Sequence, residues 1–179
     1  MTRAEIEAKA EALLRDHGLL GMAVDPVRLA SALGVKVFNA KFGEEGVHGL
    51  LARRGGEAAV YVNATDAPVR KRFTIAHEIG HLSLHLLDGD VEHIDNADNF
   101  RTTAADPSAP WTLSRRQEWE ANQFAAALLM PEALVRQKWA EIQDLDGLAR
   151  WFQVSQEAMA IRLEALQLPI PTGVPARAS

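Results

Sequence analysis

The chain has 179 residues, 47% of them hydrophobic and 24% charged, with a formal net charge of −5. These values are typical of one globular domain, and the negative charge disfavours a nucleic-acid scaffold, which needs a basic face. The chain contains no cysteine, which excludes disulfides, cysteine-type zinc knuckles and a thiol nucleophile. It has no apolar signal core and no apolar run near the ~20 residues that span a bilayer, so we expect a cytoplasmic protein with no membrane partner.

The sequence before residue 64 predicts two helices and three strands. Helical spacing of apolar residues and the pair Asp25-Pro26 indicate the helices, and two strand-like runs on both sides of Gly55-Gly56 indicate a hairpin. The predicted elements are a helix that ends near residue 18, a helix over 25–33, and strands over 35–38, 47–53 and 58–63.

The segment over about 68–87 is typical of one helix that is apolar nearly all round and therefore buried. It contains His77-Glu78-Ile79-Gly80-His81, the H-E-x-x-H spacing that places two imidazoles on one helical face beside a carboxylate. Burying two histidines and a glutamate without a ligand would cost much desolvation energy, so the pattern favours a metal site over structural histidines. Gly80 is unfavourable inside a helix, which predicts that something packs closely there.

A catalytic zinc ion usually takes three protein ligands and leaves one position for water. His85 lies eight residues beyond His77, a rise of ~12 Å, which is too far for comfortable chelation of the same ion. His93 and the acids around it lie in a long, polar, loop-like stretch over 88–110. The best candidate for the third ligand is Glu118, on a later helix that Pro131 ends.

Two further polar residues on that later helix have predicted roles. Asn122 is four residues after Glu118 on the same face, where it can brace a histidine ligand. Glu120 is the rival ligand, but it lies about 200° round the helix from Glu118, and we expect a solvated surface acid. The arrangement parallels thermolysin-like sites, which pair H-E-x-x-H with a glutamate on a later helix.

Two segments resemble the ImmA/IrrE family of bacterial metallopeptidases: FTIAHEIGH over 73–81 and EWEANQFAAALLMP over 118–131. The likeness covers roughly residues 4–166 and implies an α+β fold with a small thermolysin-like (zincin) core. In this core we expect a short antiparallel sheet packed on the central helix that carries the motif. The resemblance also implies a zinc-dependent endopeptidase with one Zn²⁺ per chain. His77, His81 and Glu118 correspond to its ligands, and Glu78 to its general base.

Members of this family typically cleave a helix-turn-helix transcriptional repressor and relieve repression after DNA damage, mobile-element or defence-related stress. The expected partner is therefore a protein substrate, a repressor encoded beside this chain. In the predicted mechanism Glu78 takes a proton from water and passes it to the leaving amine. The oxyanion needs a further donor, and His85, His93 and Tyr61 remain open for this role, although Tyr61 is better explained as a ring packed on the core.

The predicted hairpin is the sheet material directly before the motif helix. Thermolysin-like sites bind an extended peptide along a sheet edge, so we expect the first hairpin strand, over 47–52, to form this edge. The residues expected to line the cleft are Val47, His48, Gly49 and Leu50.

The segment over 148–163 follows a helix-turn-helix pattern and offers a competing function. Its second helix carries Glu157 and Glu164 against Arg162, a poor composition for contacts to phosphates or base edges. We therefore expect a structural helix pair over about 144–166, or a surface that docks the substrate.

We predict one metallopeptidase domain over 1–168 and a disordered tail over 169–179. The alternative function is a non-catalytic zinc-containing regulator, or a partner-binding or DNA-binding module that uses the C-terminal segment. An intact Glu78 favours the enzyme, because a structural zinc site needs no general base.

Overall fold

The computed structural model describes residues 1–43, 46–85, 91–96 and 115–170, with only the backbone described for 91–96. The described chain contains seven helices and four strands. They are, in chain order, α1 (Arg3–Asp16), α2 (Pro26–Ala32), β1 (Val35–Ala40), β2 (Val47–Arg54), β3 (Glu57–Asn63), α3 (Pro68–Leu84), β4 (Val91–Asn96), α4 (Arg115–Leu129), α5 (Glu132–Ile142), α6 (Leu145–Phe152) and α7 (Gln156–Ala165).

Local sequence signals explain where the early elements begin and turn. Thr2 and Glu5 form a reciprocal capping box at the start of α1. Asp25 accepts hydrogen bonds from two backbone N–H groups at the start of α2, where Pro26 occupies the first turn. The β2–β3 hairpin turns at Gly55 and Gly56, which have φ angles of 56° and 84°. The predicted hairpin and its turn are confirmed.

The four strands form a mixed sheet in the order β1-β3-β2-β4. The β2–β3 and β2–β4 pairs are antiparallel, whereas β1 and β3 are parallel. The parallel pair arises because the hairpin returns β3 into the position between β1 and β2. The predicted α+β fold is thus confirmed, with a sheet that is antiparallel in two of its three pairings.

The prediction that β2 forms the free edge of the sheet is wrong. Gly49 pairs with Val62 of β3 on one side and with Asp95 of β4 on the other, so both edges of β2 are occupied. The covering strand, β4, lies inside the stretch over 88–110 that the sequence indicated to be a loop. Its two apolar residues, Val91 and Ile94, are three positions apart among acidic and amide residues, so the segment lacks the alternation from which a strand is predicted.

Helix α3 is the central element of the fold. It packs against β2 and β3 and against α4, and α4 in turn packs against α1. Every residue of α3 from Thr74 to His81 is buried, which confirms the predicted buried helix. The helix ends at Leu84 rather than at residue 87, and His85 is its C-cap residue with φ −108° and ψ 3°.

Helices α6 and α7 lie in the segment of the predicted C-terminal pair. Asp144 and Ser155 cap them by accepting hydrogen bonds from the N–H groups of Gly147 and Ala158. Residues 171–179, in the predicted tail, lie outside the described residues. Within the described ranges, no helix is both long and apolar enough to cross a membrane.

Candidate metal centre

Three side chains of the kind that bind metals converge between α3 and α4. One ligand atom from each of His77, His81 and Glu118 lies within 4.8 Å of the others. The Nε2 atoms of the two histidines are 2.9 Å apart, and they lie 3.4 and 3.6 Å from oxygens of Glu118. All three residues are buried. The structure therefore brings together the three residues that the sequence proposed as ligands.

The close approach of α3 and α4 brings the carboxylate to the motif. A Cβ atom on Gly80 would lie 3.2 Å from both the Cα and the carbonyl oxygen of Ala121, so only glycine fits without a shift. This contact confirms the prediction that another element packs closely at Gly80. Glu118 is one turn before Ala121, so the crossing point of the helices lies directly beside the two histidines.

The donor set fits a divalent cation such as zinc. His77 Nδ1 lies 3.0 Å from Asn122 Oδ1, and because this amide oxygen only accepts, the ring proton lies on Nδ1. The lone pair of His77 Nε2 then points into the cluster. Burial by itself would raise the pKa of Glu118, but its contacts with His77 and His81 outweigh this effect and hold that pKa well below its usual range. Two imidazole nitrogens and one carboxylate are a typical ligand set for catalytic zinc.

Glu78 is completely buried beneath β2. A Cβ atom on Gly49 would lie 2.4 Å from Thr74 Cγ2 and 3.4 Å from Glu78 Oε1. Gly49 therefore allows the strand to lie directly on the face of α3 that carries the glutamate. The sequence assigned Gly49 to a substrate edge, but in the structure it is a packing contact for Glu78.

Tyr61 lies on the wrong face of the sheet for an oxyanion stabiliser. Its neighbours Val60 and Val62 are buried in the core, and alternation along the strand places Tyr61 on the opposite face. Its ring stacks on Phe38 with 5.3 Å between the ring centroids. Leu50 pairs with Tyr61 in the sheet. The oxyanion prediction for Tyr61 is therefore wrong, and so is the alternative of a ring packed on the core.

The other predicted cleft residues have different placements. His48 Nδ1 lies 2.9 Å from Asp66 Oδ2, and Val47 is buried at the start of β2 beside a β-bulge. The backbone of His93 lies in β4 opposite Leu51, and its side chain lies outside the described residues, so its role stays a prediction. The acids that the sequence placed around His93 also lie outside the described side chains.

The expectation that Glu120 is a solvated acid is wrong. The residue is 6% exposed, and its Oε2 lies 3.1 Å from His85 Nε2. The N-terminal ammonium of Met1 and the guanidinium of Arg116 also contact its other oxygen. The N-terminal ammonium is the main cause that lowers the pKa of Glu120 to about 2, with Arg116 and His85 adding to it.

His85 lies between Glu120 and the cluster. Its Nδ1 is 3.1 Å from His81 Nδ1, on the side of the His81 ring that faces away from His77. Burial lowers the pKa of His85 and outweighs the opposing effect of Glu120. Sequence spacing alone identified His85 as one turn beyond His81, but it could not show that a glutamate of α4 lies beside it.

Arg162, the one basic residue of α7, is buried inside the protein. Arg162 is 3% exposed, and its Nε donates to the carbonyl oxygen of Met130 at 2.9 Å. Its two terminal nitrogens donate to the two carboxylate oxygens of Glu7 on α1. This guanidinium is not available to bind a phosphate.

Comparison with known proteins agrees with this geometry. No curated protein matches the sequence. A solved structure described as a Mycobacterium tuberculosis transcriptional regulator is similar, with a TM-score of 0.64 and 20% identity. The match covers 96% of this chain and 50% of that one, so the chain spans about half the length of this structure, and the likeness concerns the fold. The family model Peptidase_M78, described as the IrrE N-terminal-like domain, matches residues 30–164, and the chain therefore belongs to this family, the ImmA/IrrE family that its two motifs resemble.

Proposed function

We propose that this protein is a zinc-dependent endopeptidase that cleaves a helix-turn-helix transcriptional repressor and so relieves repression in a stress response. The observation that carries the proposal is the buried convergence of His77, His81 and Glu118 in a chain that also keeps the motif glutamate. Membership in a peptidase family supports the reaction class. A purely structural metal site would need the three ligands but not Glu78.

The proposed mechanism divides the chemistry among named residues. Zinc held by the three ligands would polarise the scissile carbonyl and make a water molecule more acidic. Glu78 is the general base that accepts a proton from this water and then donates it to the leaving amine nitrogen. Asn122 accepts a hydrogen bond from His77 Nδ1–H and so fixes the orientation of that ring.

We now place the proposed substrate-binding edge of the sheet at β4 instead of β2. Strand β4 is at the end of the described sheet and pairs with β2, the strand that packs on Glu78. An extended segment of the substrate would add to this end by backbone hydrogen bonds, as in other cases of strand addition. This placement retains the edge-binding hypothesis and replaces the strand that the sequence favoured.

A repressor substrate follows from the family resemblance. The structural neighbour is named a transcriptional regulator, which is consistent with a regulatory setting for this fold. The competing proposal, a DNA-binding module, is weakened by the internal pairing of Arg162. We propose instead that α6 and α7 are a structural helix pair.

The test is cleavage of the helix-turn-helix repressor encoded beside this chain. Glu78→Gln should keep its zinc and its fold, but it should cleave about 10²–10⁴-fold more slowly, because an amide cannot accept the proton. Glu141→Gln, which changes an exposed acid on α5, is the matched control and should cleave at the wild-type rate. Fragments are quantified by mass spectrometry. Cleavage by Glu78→Gln at the wild-type rate would disprove the mechanism, and no cleavage by the zinc-loaded wild type would favour the non-catalytic regulator.

A further inference from the structure

We propose that His85 and Glu120 are positioning residues that hold the metal ligand His81 through a chain of two hydrogen bonds. The chain runs from Glu120 Oε2 to His85 Nε2 over 3.1 Å, and from His85 Nδ1 to His81 Nδ1 over 3.1 Å. This inference rests on the proposed metal centre. It assigns a role to two residues that the sequence interpreted as an oxyanion donor and a solvated acid.

The direction of each hydrogen bond follows from the group at the end of the chain. A carboxylate only accepts, so His85 Nε2 is the donor to Glu120 and carries the ring proton, which leaves Nδ1 as the acceptor of the imidazole. His81 Nδ1 must then donate to His85 Nδ1. This leaves the lone pair of His81 on Nε2, the atom that lies next to His77 and Glu118. The chain therefore selects the tautomer of His81 that can bind a metal.

The position of Glu120 on α4 explains why the intermediate histidine is needed. Glu120 lies about 200° round the helix from Glu118, so it cannot reach the cluster directly. His85 spans this gap because it caps α3, where its backbone N–H donates to the carbonyl oxygen of His81 at 3.0 Å. The side chains of His85 and Glu120 are 5% and 7% exposed, so water competes little for these hydrogen bonds.

Helix α4 thus braces each histidine ligand by a separate route. Asn122 contacts His77 directly, and Glu120 reaches His81 through His85. A carboxylate behind a histidine ligand fixes the ring and makes the ligating nitrogen more basic, and loss of such a partner typically lowers metal affinity 10–100-fold. We therefore expect His85 and Glu120 to act on zinc affinity as one unit.

The experiment is a double-mutant cycle on zinc affinity, measured by competition with a chromophoric chelator on zinc-free protein. His85→Ala and Glu120→Ala should each weaken zinc binding about 10–100-fold. The zinc affinity of the double variant should be little lower than that of the single variant that binds zinc more weakly, because both substitutions interrupt the same chain of hydrogen bonds. His17→Ala and Glu132→Ala, which alter a partly exposed histidine and an exposed acid outside the centre, are the controls and should bind zinc as the wild type does.

The unfolding midpoint of each zinc-free variant separates a local effect from loss of the fold. If His85→Ala does not fold, the zinc affinities of Glu120→Gln and Glu120→Ala are compared instead. The amide oxygen of glutamine can still accept a hydrogen bond from His85 Nε2–H, so Glu120→Gln should retain most of the zinc affinity. Wild-type affinity in His85→Ala or Glu120→Ala, or additive losses in the double variant, would overturn the positioning role. Absence of zinc binding by the wild type would overturn the metal centre itself, and the positioning role with it.

Discussion

Two groups of buried ionisable side chains, in different parts of the molecule, differ in whether the protein supplies all of their partners. Around Arg162 the protein supplies both partners, since the guanidinium donates to the Glu7 carboxylate and to the Met130 carbonyl oxygen. Between α3 and α4, the Nε2 atoms of two histidines instead converge with a carboxylate. The first group is complete without a ligand, whereas the second has the composition of a site that a cation completes.

The comparison bears on the two functions that the sequence left in competition. In the helix-turn-helix-like segment, Arg162 is engaged in an ion pair with Glu7 of α1 and is therefore not available to DNA. The motif helix carries the two histidines that converge with Glu118 of α4, and each histidine is braced by a residue that fixes its ring. Burial of charge is therefore informative about function when the partners of each charged atom are known.

The largest expected effect is loss of metal from the converging group. His77→Ala or His81→Ala should reduce bound zinc from about one ion per chain to almost none, because each variant removes one of three protein ligands. Glu118→Ala should weaken binding sharply, and more than Glu120→Ala, which removes a brace rather than a ligand. Elemental analysis of protein prepared in metal-free buffers measures the zinc content.

The Arg162 group supplies the contrast for this first experiment. Zinc content should be unchanged by Arg162→Ala, because its partners lie on α1 and at Met130 rather than at the centre. Full zinc occupancy in the His77→Ala/His81→Ala double variant would show that the converging side chains are not the metal site.

The second effect is on stability and is centred on the ion pair. Arg162→Ala should lower the free energy of unfolding by about 3 kcal/mol, because it leaves the Glu7 carboxylate and the Met130 carbonyl oxygen without their buried donor. Arg150→Ala is the matched control from the same helix pair. The Arg150 side chain is 75% exposed in its pair with Asp146, against 2% for Arg162, so its loss should cost less than ~1 kcal/mol.

Urea denaturation of the two arginine variants measures the difference. Equal losses of stability in the two variants would mean that the buried ion pair of Arg162 with Glu7 does not stabilise the fold as its geometry indicates. DNA binding by the wild type that disappears in Arg162→Ala, with the fold intact, would return the C-terminal helices to the DNA-binding interpretation.

The sequence was sufficient for those features of the centre that depend on spacing within one helix. Residues four apart share a face, which brought His77 beside His81 and placed Glu118 and Asn122 on one side of α4. Gly80 was a further signal of this kind, because an interior glycine in a helix indicates a close neighbour. These inferences needed no knowledge of how the helices cross.

The sequence was not sufficient where a contact joins distant elements. The burial of Glu120 depends on how α3 and α4 cross and on where α3 ends, at His85. The spacing of residues along one helix determines neither of these. Strand β4 covers β2 by a pairing between strands separated by a whole helix. For Tyr61 a usable signal existed, because the alternation of Val60 and Val62 about it decides the face on which its ring lies.

The smallest of these effects concerns the close approach that holds Glu78 beside the converging group. Gly49→Ala should lower the free energy of unfolding by about 1–3 kcal/mol, because its Cβ would lie 2.4 Å from Thr74 Cγ2 beneath β2. Gly43→Ala is the matched control, since a Cβ atom there meets nothing within 4 Å and should change stability by less than ~0.5 kcal/mol.

Thr74→Ser removes the obstructing methyl group and should therefore restore part of the stability lost in Gly49→Ala. Urea denaturation measures all four proteins, and equal losses with and without Thr74→Ser would show that Gly49 is required for a reason other than contact with α3. Zinc content should persist in Gly49→Ala, because the obstructed atoms belong to Thr74 and Glu78 rather than to the ligands, so this variant separates the packing of the base from the binding of the metal.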